Sequence, residues 1–278
     1  MNVAFLYDFD KTLTPRDMQE YGFIEALGIK EAKEFWTLVT KTAEEEKMDR
    51  ILAYLFVMAK QAKQRGLKLT KEMLASFGSQ VMYFPGVENW FSAVNEIGRS
   101  MGIEVQHYIV SSGLKEIIEA TPIAKEFKRI YASEYLYDEN QEAIWPKLAI
   151  NYTNKMQFIF RVNKGILDID NDVDLNSYMA DSDRPVPLTN MVYFGDGLTD
   201  VPSMKLVKTS GGHSICVYTE ESRLAAEILA KNERVDFIAP ADYSAEGTLM
   251  VIASRILRHL AALHDLRDVT WKGEAHNE

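Results

Sequence analysis

Short apolar runs of strand length alternate with amphipathic segments of helical length, and this alternation constrains the fold most strongly. Such an order favours a mostly parallel sheet with helices on both faces. We therefore predict an α/β fold in which ligands bind at the carboxyl ends of the strands. The predicted strands are 3–7, 103–110, 129–132, 191–195, 214–218 and 235–239, with a hairpin around 138–140. The predicted helices of this part are 87–100, 113–120, 155–164, 220–231 and 245–265.

One long stretch interrupts the alternation. After Thr14-Pro15 the apolar residues recur at helical spacing, and no strand pattern returns before Pro85-Gly86. The predicted helices of this stretch are 17–27, 30–46, 48–65 and 70–80. We predict an inserted helical domain at 15–84 and a core formed by 1–14 and 85–278. Because the insertion begins a few residues past the first strand, we expect it to stand over the carboxyl ends of the strands.

Charge and apolar content exclude some classes of function. The net charge of −10 argues against nucleic acid as a partner, because phosphate backbones are bound by basic surfaces. A small anionic substrate stays compatible, since a metal and a few local cations can reverse the field in one pocket. The longest apolar run, 51–59, is too short to span a membrane. With Cys216 as the only cysteine and a first strand that follows no basic leader, we expect a cytoplasmic protein. The oligomeric state is left open.

The first candidate motif follows strand 3–7 directly and reads Asp8-Phe9-Asp10-Lys11-Thr12. Two carboxylates that leave one strand end repel each other unless a cation or a shared proton relieves them. Magnesium is a suitable hard cation. Asp8 can then present an oxygen to phosphorus, and Asp10 can pass a proton to the leaving oxygen. The alternative is a turn whose Asp side chains cap the next helix.

Two further candidates offer groups for a phosphate. Ser111 and Ser112 end strand 103–110, where a hydroxyl and free backbone amides can cradle phosphate, although a plain helix cap is the alternative. Lys155 begins helix 155–164, where it opposes the helix dipole, so an anion nearby would explain it. Lys164 competes with Lys155, but it ends that helix, where a lysine is expected in any case.

The fourth motif, Gly195-Asp196-Gly197-Leu198-Thr199-Asp200, follows strand 191–195. Glycines around Asp196 allow a sharp turn and leave room for a ligand beside the carboxylate. Asp196 and Asp200 can complete a metal site with Asp8. The alternative is a glycine-rich turn, which is much less specific than this hexapeptide.

Taken together, the four motifs resemble those of the haloacid dehalogenase superfamily of phosphatases. They occur in the order of that family and span residues 5 to 200. The chain looks like the phosphoserine-phosphatase-like branch with a helical, C1-type cap, which implies a three-layer, Rossmann-like core. Two features depart from that branch: an acidic insertion, 168–189, and a cap without a match to serine-binding residues.

The resemblance implies hydrolysis of a small phosphorylated metabolite through an aspartyl-phosphate, with Mg²⁺ as cofactor. Asp8 would be the nucleophile and Asp10 the general acid and base. Ser111 and Lys155 would hold the phosphoryl group. Further phosphate contacts would come from Phe9, Asp10 and Ser112. The metal would be bound by Asp8, by the carbonyl of Asp10 and by Asp196. Thr12, Gly197 and Asp200 would surround and orient these groups.

Other interpretations stay open at this point. A phosphomutase or phosphotransferase would use the same aspartyl-phosphate, and a non-catalytic module that binds a phosphorylated ligand could keep the same fold. The alternating Asp168, Asp170, Asp172 and Asp174 hint at an EF-hand calcium loop, but Val173 replaces its glycine, so we favour a solvated acidic loop.

Several side chains near the motifs are expected to serve packing or the surface. We expect a structural role for His107. The aromatic residues of the insertion, Trp36 and Tyr54 among them, are expected to pack in its core. Asp17 and Arg50 are expected at the surface.

Overall fold

The computed structural model describes the backbone of residues 1–274 and the side chains of residues 1–266. Seven strands form one sheet in the order β4-β3-β2-β1-β5-β6-β7. All neighbouring strands are parallel except β3 and β4. No helix in the described part of the chain is long and apolar enough to cross a membrane. The strands are β1 (Asn2–Tyr7), β2 (Glu104–Leu114), β3 (Arg129–Tyr137), β4 (Ala143–Leu148), β5 (Met191–Gly195), β6 (His213–Tyr218) and β7 (Phe237–Pro240).

Helices cover both faces of the sheet, as predicted. Successive side chains of a strand point to opposite faces, so Phe5 and Tyr7 of β1 belong to one apolar core, and Ala4 and Leu6 to the other. The first core includes α5 (Val87–Ser100), α6 (Lys115–Glu119) and α11 (Thr248–Glu274). The second includes α7 (Lys155–Lys164), α9 (Val201–Thr209) and α10 (Arg223–Lys231). The α/β class with a mostly parallel, Rossmann-like sheet is therefore confirmed.

The stretch 15–84 is helical and contains no strand of the sheet. Its helices are α1 (Phe23–Ala26), α2 (Ala32–Glu46), α3 (Arg50–Gln64) and α4 (Lys71–Ser76). The predicted helix 17–27 is wrong as a continuous element, since it splits at Gly22, which has a φ of 128°. A Cβ at Gly22 would lie 2.6 Å from the Phe77 ring, so the close approach requires glycine there.

Two other differences concern short elements. The sequence pattern missed α9, which holds Pro202 in its first turn, where proline is tolerated. The acidic stretch 168–189 contains a short helix, α8 (Asp172–Asn176), within its irregular chain. The predicted hairpin around 138–140 is confirmed by the antiparallel pairing of β3 with β4.

A buried polar chain ties β1 and β2 to α5. The Trp90 indole donates to the Tyr7 hydroxyl at 2.9 Å, and that hydroxyl lies 3.0 Å from His107 Nδ1. His107 Nε2 lies 3.0 Å from Asn95 Oδ1, which can only accept. His107 is therefore neutral, with its proton on Nε2 and Nδ1 as the acceptor, and it has the structural role that we expected.

This network predicts an acid-sensitive fold. Burial lowers the pKa of His107 from 6.5 to about 3. The unfolded chain therefore binds a proton at His107 near pH 6.5, whereas the folded protein does not. The contribution of neutral His107 to the free energy of unfolding is complete above pH 6.5 and is lost as the pH falls towards 3. Lowering the pH from 7 to 5 should therefore decrease the free energy of unfolding of the wild type. In His107→Gln, which lacks the titrating group, this decrease should be smaller by about 2 kcal/mol.

Denaturant titrations at the two pH values measure this difference. His264→Gln, which replaces an exposed histidine, serves as the matched control and should follow the wild type. An identical pH dependence for His107→Gln and wild type would contradict the assignment of a neutral, buried His107.

Candidate active site

Three adjacent parallel strands bring the first, second and fourth motifs to one edge of the sheet. Strands β2, β1 and β5 are neighbours, and their carboxyl ends lie together. Asp8 follows β1, Ser111 lies near the end of β2, and Asp196 follows β5. All three line one cavity of about 520 Å³. Residues that are about 100 and 190 positions apart in sequence therefore share one site.

Lys155 joins two of the carboxylates. Its ammonium lies 3.0 Å from Asp8 Oδ1 and 2.8 Å from Asp200 Oδ1, and its side chain is 1% exposed. Burial lowers the pKa of Lys155, but the charges of Asp200 and Asp8 more than offset this and hold the pKa well above its ordinary value. Lys155 is therefore a cation at every physiological pH.

Lys164 lies outside the site. Its ammonium donates to the carbonyls of Leu175 and Ser177, both at 2.6 Å, and so holds the acidic insertion against α7. The geometry thus separates the two lysines that the sequence had left in competition.

Asp200 is buried at the start of α9 and is oriented from two sides. Its Oδ1 accepts from Lys155 and, at 2.9 Å, from the Tyr193 hydroxyl of β5. A Cβ at Gly195 would lie 2.5 Å from the Asp200 carboxyl carbon, so only glycine fits there. Tyr193 is absent from the sequence-based set, because a tyrosine inside a strand has no motif of its own.

The carboxylates of Asp8, Asp196 and Asp200 suit a divalent cation. One oxygen from each lies within 4.8 Å of the others. Asp200 Oδ2 is buried without a hydrogen-bond partner, and one lysine cannot neutralise three carboxylates. Burial, and then the charge of Asp200, raise the pKa of Asp8 to about 6 and that of Asp196 to about 8. A hard divalent cation would relieve this repulsion.

Asp10 lies beside this cluster with a different set of contacts. Its Oδ1 accepts from the Met18 amide at 2.8 Å. Burial, followed by the charges of Asp17 and Asp8, raises its pKa well above the ordinary value. Asp10 therefore holds a proton at a pH where a solvated aspartate has lost it. The Thr12 carbonyl accepts from Tyr243 at 2.8 Å, which anchors the end of the motif to the core.

The serine motif lies in an irregular part of β2. The strand continues to Leu114, with a register shift between Val110 and Leu114, so the predicted end at 110 is too early. Ser111 Oγ accepts from the Gly113 amide at 3.0 Å, and α6 begins without a side-chain cap. Ser111 is therefore not a helix cap. The neighbouring Ser112 also lines the cavity.

The remaining predicted site residues lie in or directly behind the cavity. Phe9 is fully buried, and its amide donates to Asp8 Oδ1 at 2.8 Å. Gly197 lines the cavity, and no atom lies within 4 Å of the position of a Cβ there. Thr12 is buried, with its hydroxyl unpartnered in the described structure.

The helical stretch 15–84 contributes the rest of the cavity lining. Asp17 and Arg50 both line the cavity; Asp17 is half-buried, whereas Arg50 is exposed, as expected. Trp36 and Tyr54 pack on each other as expected, but they also face the cavity. Helical spacing alone cannot distinguish a residue that packs from one that lines a cavity between two domains. The lining from this stretch consists of Asp17, Gln19, Trp36, Val39, Arg50, Ile51 and Tyr54.

The acidic insertion does not supply a calcium loop. The Arg161 guanidinium, on a side chain that is 1% exposed, donates to the carbonyls of Asp168, Ile169 and Asn171 and to the carboxylate of Asp172. Two of the carboxylates that an EF-hand loop would use are thus paired with arginines, Asp172 with Arg161 at 2.7 Å and Asp168 with Arg129 at 2.8 Å. This geometry favours the solvated acidic loop, held by α7, over the EF-hand.

Comparisons with known proteins agree with this architecture. An uncharacterized protein from Borreliella burgdorferi is 24% identical over 273 residues, covering 88% of this chain and 93% of that protein. A probable phosphoserine phosphatase from Vibrio cholerae superposes with a TM-score of 0.61 at 12% identity, over 95% of this chain and 67% of that one.

Two further structures have the same fold. A haloacid dehalogenase family hydrolase from Salmonella enterica serovar Typhi has a TM-score of 0.58 at 15% identity, over 90% of this chain and 69% of that one. A structure described as a phospho-aspartyl intermediate analogue of phosphoserine phosphatase has a TM-score of 0.53 at 16% identity, with coverages of 85% and 92%. At these identities the likeness concerns the fold.

The sequence itself also matches a family model. The model describes haloacid dehalogenase-like hydrolases, and the match covers residues 5–205, which include the end of the first strand and all four motifs. The matched span and the arrangement of the four motifs at one edge of the sheet lead to one assignment. The chain belongs to the haloacid dehalogenase-like hydrolase family.

Proposed function

We propose that the protein hydrolyses a small phosphate monoester, with Mg²⁺ as cofactor and an aspartyl-phosphate on Asp8 as intermediate. The observation that carries this proposal is the pairing of Asp8 with buried Lys155 beside a compact carboxylate cluster. The phosphoserine phosphatases of the same fold support a phosphorylated substrate. A cytoplasmic location is part of the proposal.

Asp8 has the contacts of an oriented nucleophile. Lys155 and the Phe9 amide hold its Oδ1, and no hydrogen bond in the described structure reaches its Oδ2. One oxygen is thereby fixed while the other can attack phosphorus and form the covalent intermediate. Burial keeps water away from this carboxylate, which strengthens its interactions with the phosphoryl group.

Asp10 is suited to proton transfer. Its raised pKa means that it carries a proton that it can donate to the leaving oxygen. The carboxylate that results can then accept a proton from the water that attacks the aspartyl-phosphate. Such acid and base assistance contributes roughly 10²- to 10⁴-fold.

The phosphoryl oxygens would be held by Ser111, Ser112 and the ammonium of Lys155. Asp8, Asp196 and the carbonyl of Asp10 would hold the magnesium ion, with Asp200 beside them. When bound, the ion would neutralise negative charge that develops on the phosphoryl group. In this arrangement Asp200 orients Lys155 through its Oδ1.

The helical stretch 15–84 would act as a cap. It supplies seven of the residues that line the cavity, while the core supplies the reacting groups. Substitutions in the cap should therefore alter substrate preference more than metal binding. Hydrolysis of p-nitrophenyl phosphate, measured with and without Mg²⁺, tests the proposed class of reaction directly.

Replacing Asp8 tests the nucleophile. Asp8→Asn should lower turnover on the order of 10⁴-fold or more, because an amide cannot attack phosphorus. The variant should fold, and its free energy of unfolding should rise slightly because one of three clustered like charges is removed. Steady-state rates and denaturant titrations measure the two effects. A variant that keeps more than a small fraction of the wild-type rate would refute the assignment.

Removal of metal tests the cofactor. Activity should vanish in excess chelator and return with Mg²⁺, because the clustered carboxylates and water suit a small octahedral ion. Calcium should inhibit, since it is larger and accepts both oxygens of one carboxylate, which would engage the attacking oxygen of Asp8. Rates in chelator, Mg²⁺ and Mg²⁺ with Ca²⁺ are compared. Full activity in chelator would defeat the proposal.

A pair of alanine variants tests the phosphate-binding lysine. Lys155→Ala should lower kcat/KM roughly 100-fold or more, because a preorganised charge at the phosphoryl group is lost. Lys164→Ala is the matched control on the same helix, about 13 Å away at 1.5 Å per residue, and should keep near-wild-type kcat/KM. Circular dichroism verifies that both variants fold. The reverse pattern of activities would place the phosphate at Lys164.

A further inference from the structure

The cap lines the cavity with an apolar wall. Trp36 and Val39 of α2 and Ile51 and Tyr54 of α3 all line it. Each pair is three residues apart, so its two members lie on the same face of their helix. We call these four residues the apolar wall.

The two rings of this wall are held in place before any substrate binds. The Trp36 ring packs edge-on against Phe35, with centroids 5.1 Å apart, and its centroid lies 5.8 Å from that of Tyr54. The indole donates to Glu20 at 3.3 Å, and the Tyr54 hydroxyl accepts from Gln19 at 2.7 Å. Side chains fixed in this way lose little conformational entropy when a ligand packs on them.

The cap offers little to a strongly anionic leaving group. Lys11, a core cation of the cavity, is paired with Asp17 at 2.8 Å. Arg50 is the one cavity-lining cation without a carboxylate partner within residues 1–266, and it donates to Thr40. A leaving group with several negative charges would meet more carboxylates than cations here.

We propose that the preferred substrate is a phosphate monoester whose leaving group carries an aromatic ring that packs on the apolar wall. This inference rests on the proposed phosphatase function. A cavity of about 520 Å³ accommodates a ring beyond the phosphoryl group. Trp36 and Ile51 are half-buried, whereas Val39 and Tyr54 are only 1% and 3% exposed and lie behind them, so the ring would pack mainly on Trp36 and Ile51. Offset or edge-to-face packing on Trp36 would add to the free energy gained by removing the ring from water.

Paired substrates of similar intrinsic reactivity test this preference. Benzyl phosphate and ethyl phosphate are both esters of primary alcohols, so the bond that is cleaved is of the same kind. We expect kcat/KM for the benzyl ester to exceed that for the ethyl ester by on the order of 10- to 100-fold.

Three variants locate the origin of the preference. Trp36→Leu and Ile51→Ala should each reduce the benzyl-to-ethyl ratio about 3- to 10-fold. Leu52→Ala is the matched control, because Leu52 follows Ile51 on α3 but lines a separate groove. It should leave the ratio unchanged. Thermal melts verify folding, and Ile51→Ala keeps the test decisive if Trp36→Leu is unstable.

The possible outcomes separate this inference from the proposed function. A ratio near one, or a ratio that responds equally to Ile51→Ala and Leu52→Ala, would overturn the aromatic preference while leaving the phosphatase function in place. Hydrolysis of neither ester in the presence of Mg²⁺ would overturn both. A high ratio that falls only with the wall variants would support both.

Discussion

The buried ammonium of Lys155 between Asp8 and Asp200 is the interaction on which the rest of the site depends. Three carboxylates gather at the end of a hydrophobic sheet, where their mutual repulsion is weakly screened. One lysine offsets part of that charge and fixes the orientation of two of the acids. Removing Lys155 would leave the clustered carboxylates without this cation, and breaking a buried pair in that way typically costs about 3–5 kcal/mol.

The parallel sheet makes this concentration of charge possible. Strands β2, β1 and β5 end side by side, so the turns that follow them point their polar groups at one place. Two helices position the other two charged groups of the site. Helix α7 places Lys155 at its first turn, and Asp200 is the residue directly before α9. The floor of the cavity is thus polar and charged, whereas the helical stretch 15–84 adds the apolar wall, so the proposed chemistry and the proposed selectivity would reside in different parts of the chain.

Much of the core was predictable because its signals are local. A buried strand is a short apolar run, and Asp8, Ser111 and Asp196 follow or end such runs directly. One failure has a non-local cause, because Gly22, where the predicted helix 17–27 splits, lies against the ring of the distant Phe77. Helix α9, which holds Pro202 in its first turn, was missed. The sequence distinguished Lys155 from Lys164 only by their positions at the two ends of one predicted helix. The structure distinguishes them by their partners, since Lys155 donates to Asp200 and Lys164 donates to the carbonyl of Leu175.

The sequence by itself determined the α/β class, the four motifs and the presence of a long helical insertion, because periodicity and turn residues act over a few neighbouring positions. The tertiary structure decided which groups meet. The contact of Tyr193 with Asp200, the closing of the acidic loop around Arg161, and the placement of Trp36, Arg50 and Asp17 at the cavity depend on packing between distant segments. A spacing pattern shows which face of a helix is apolar, but whether that face meets a core or a cavity is set by the element that packs against it.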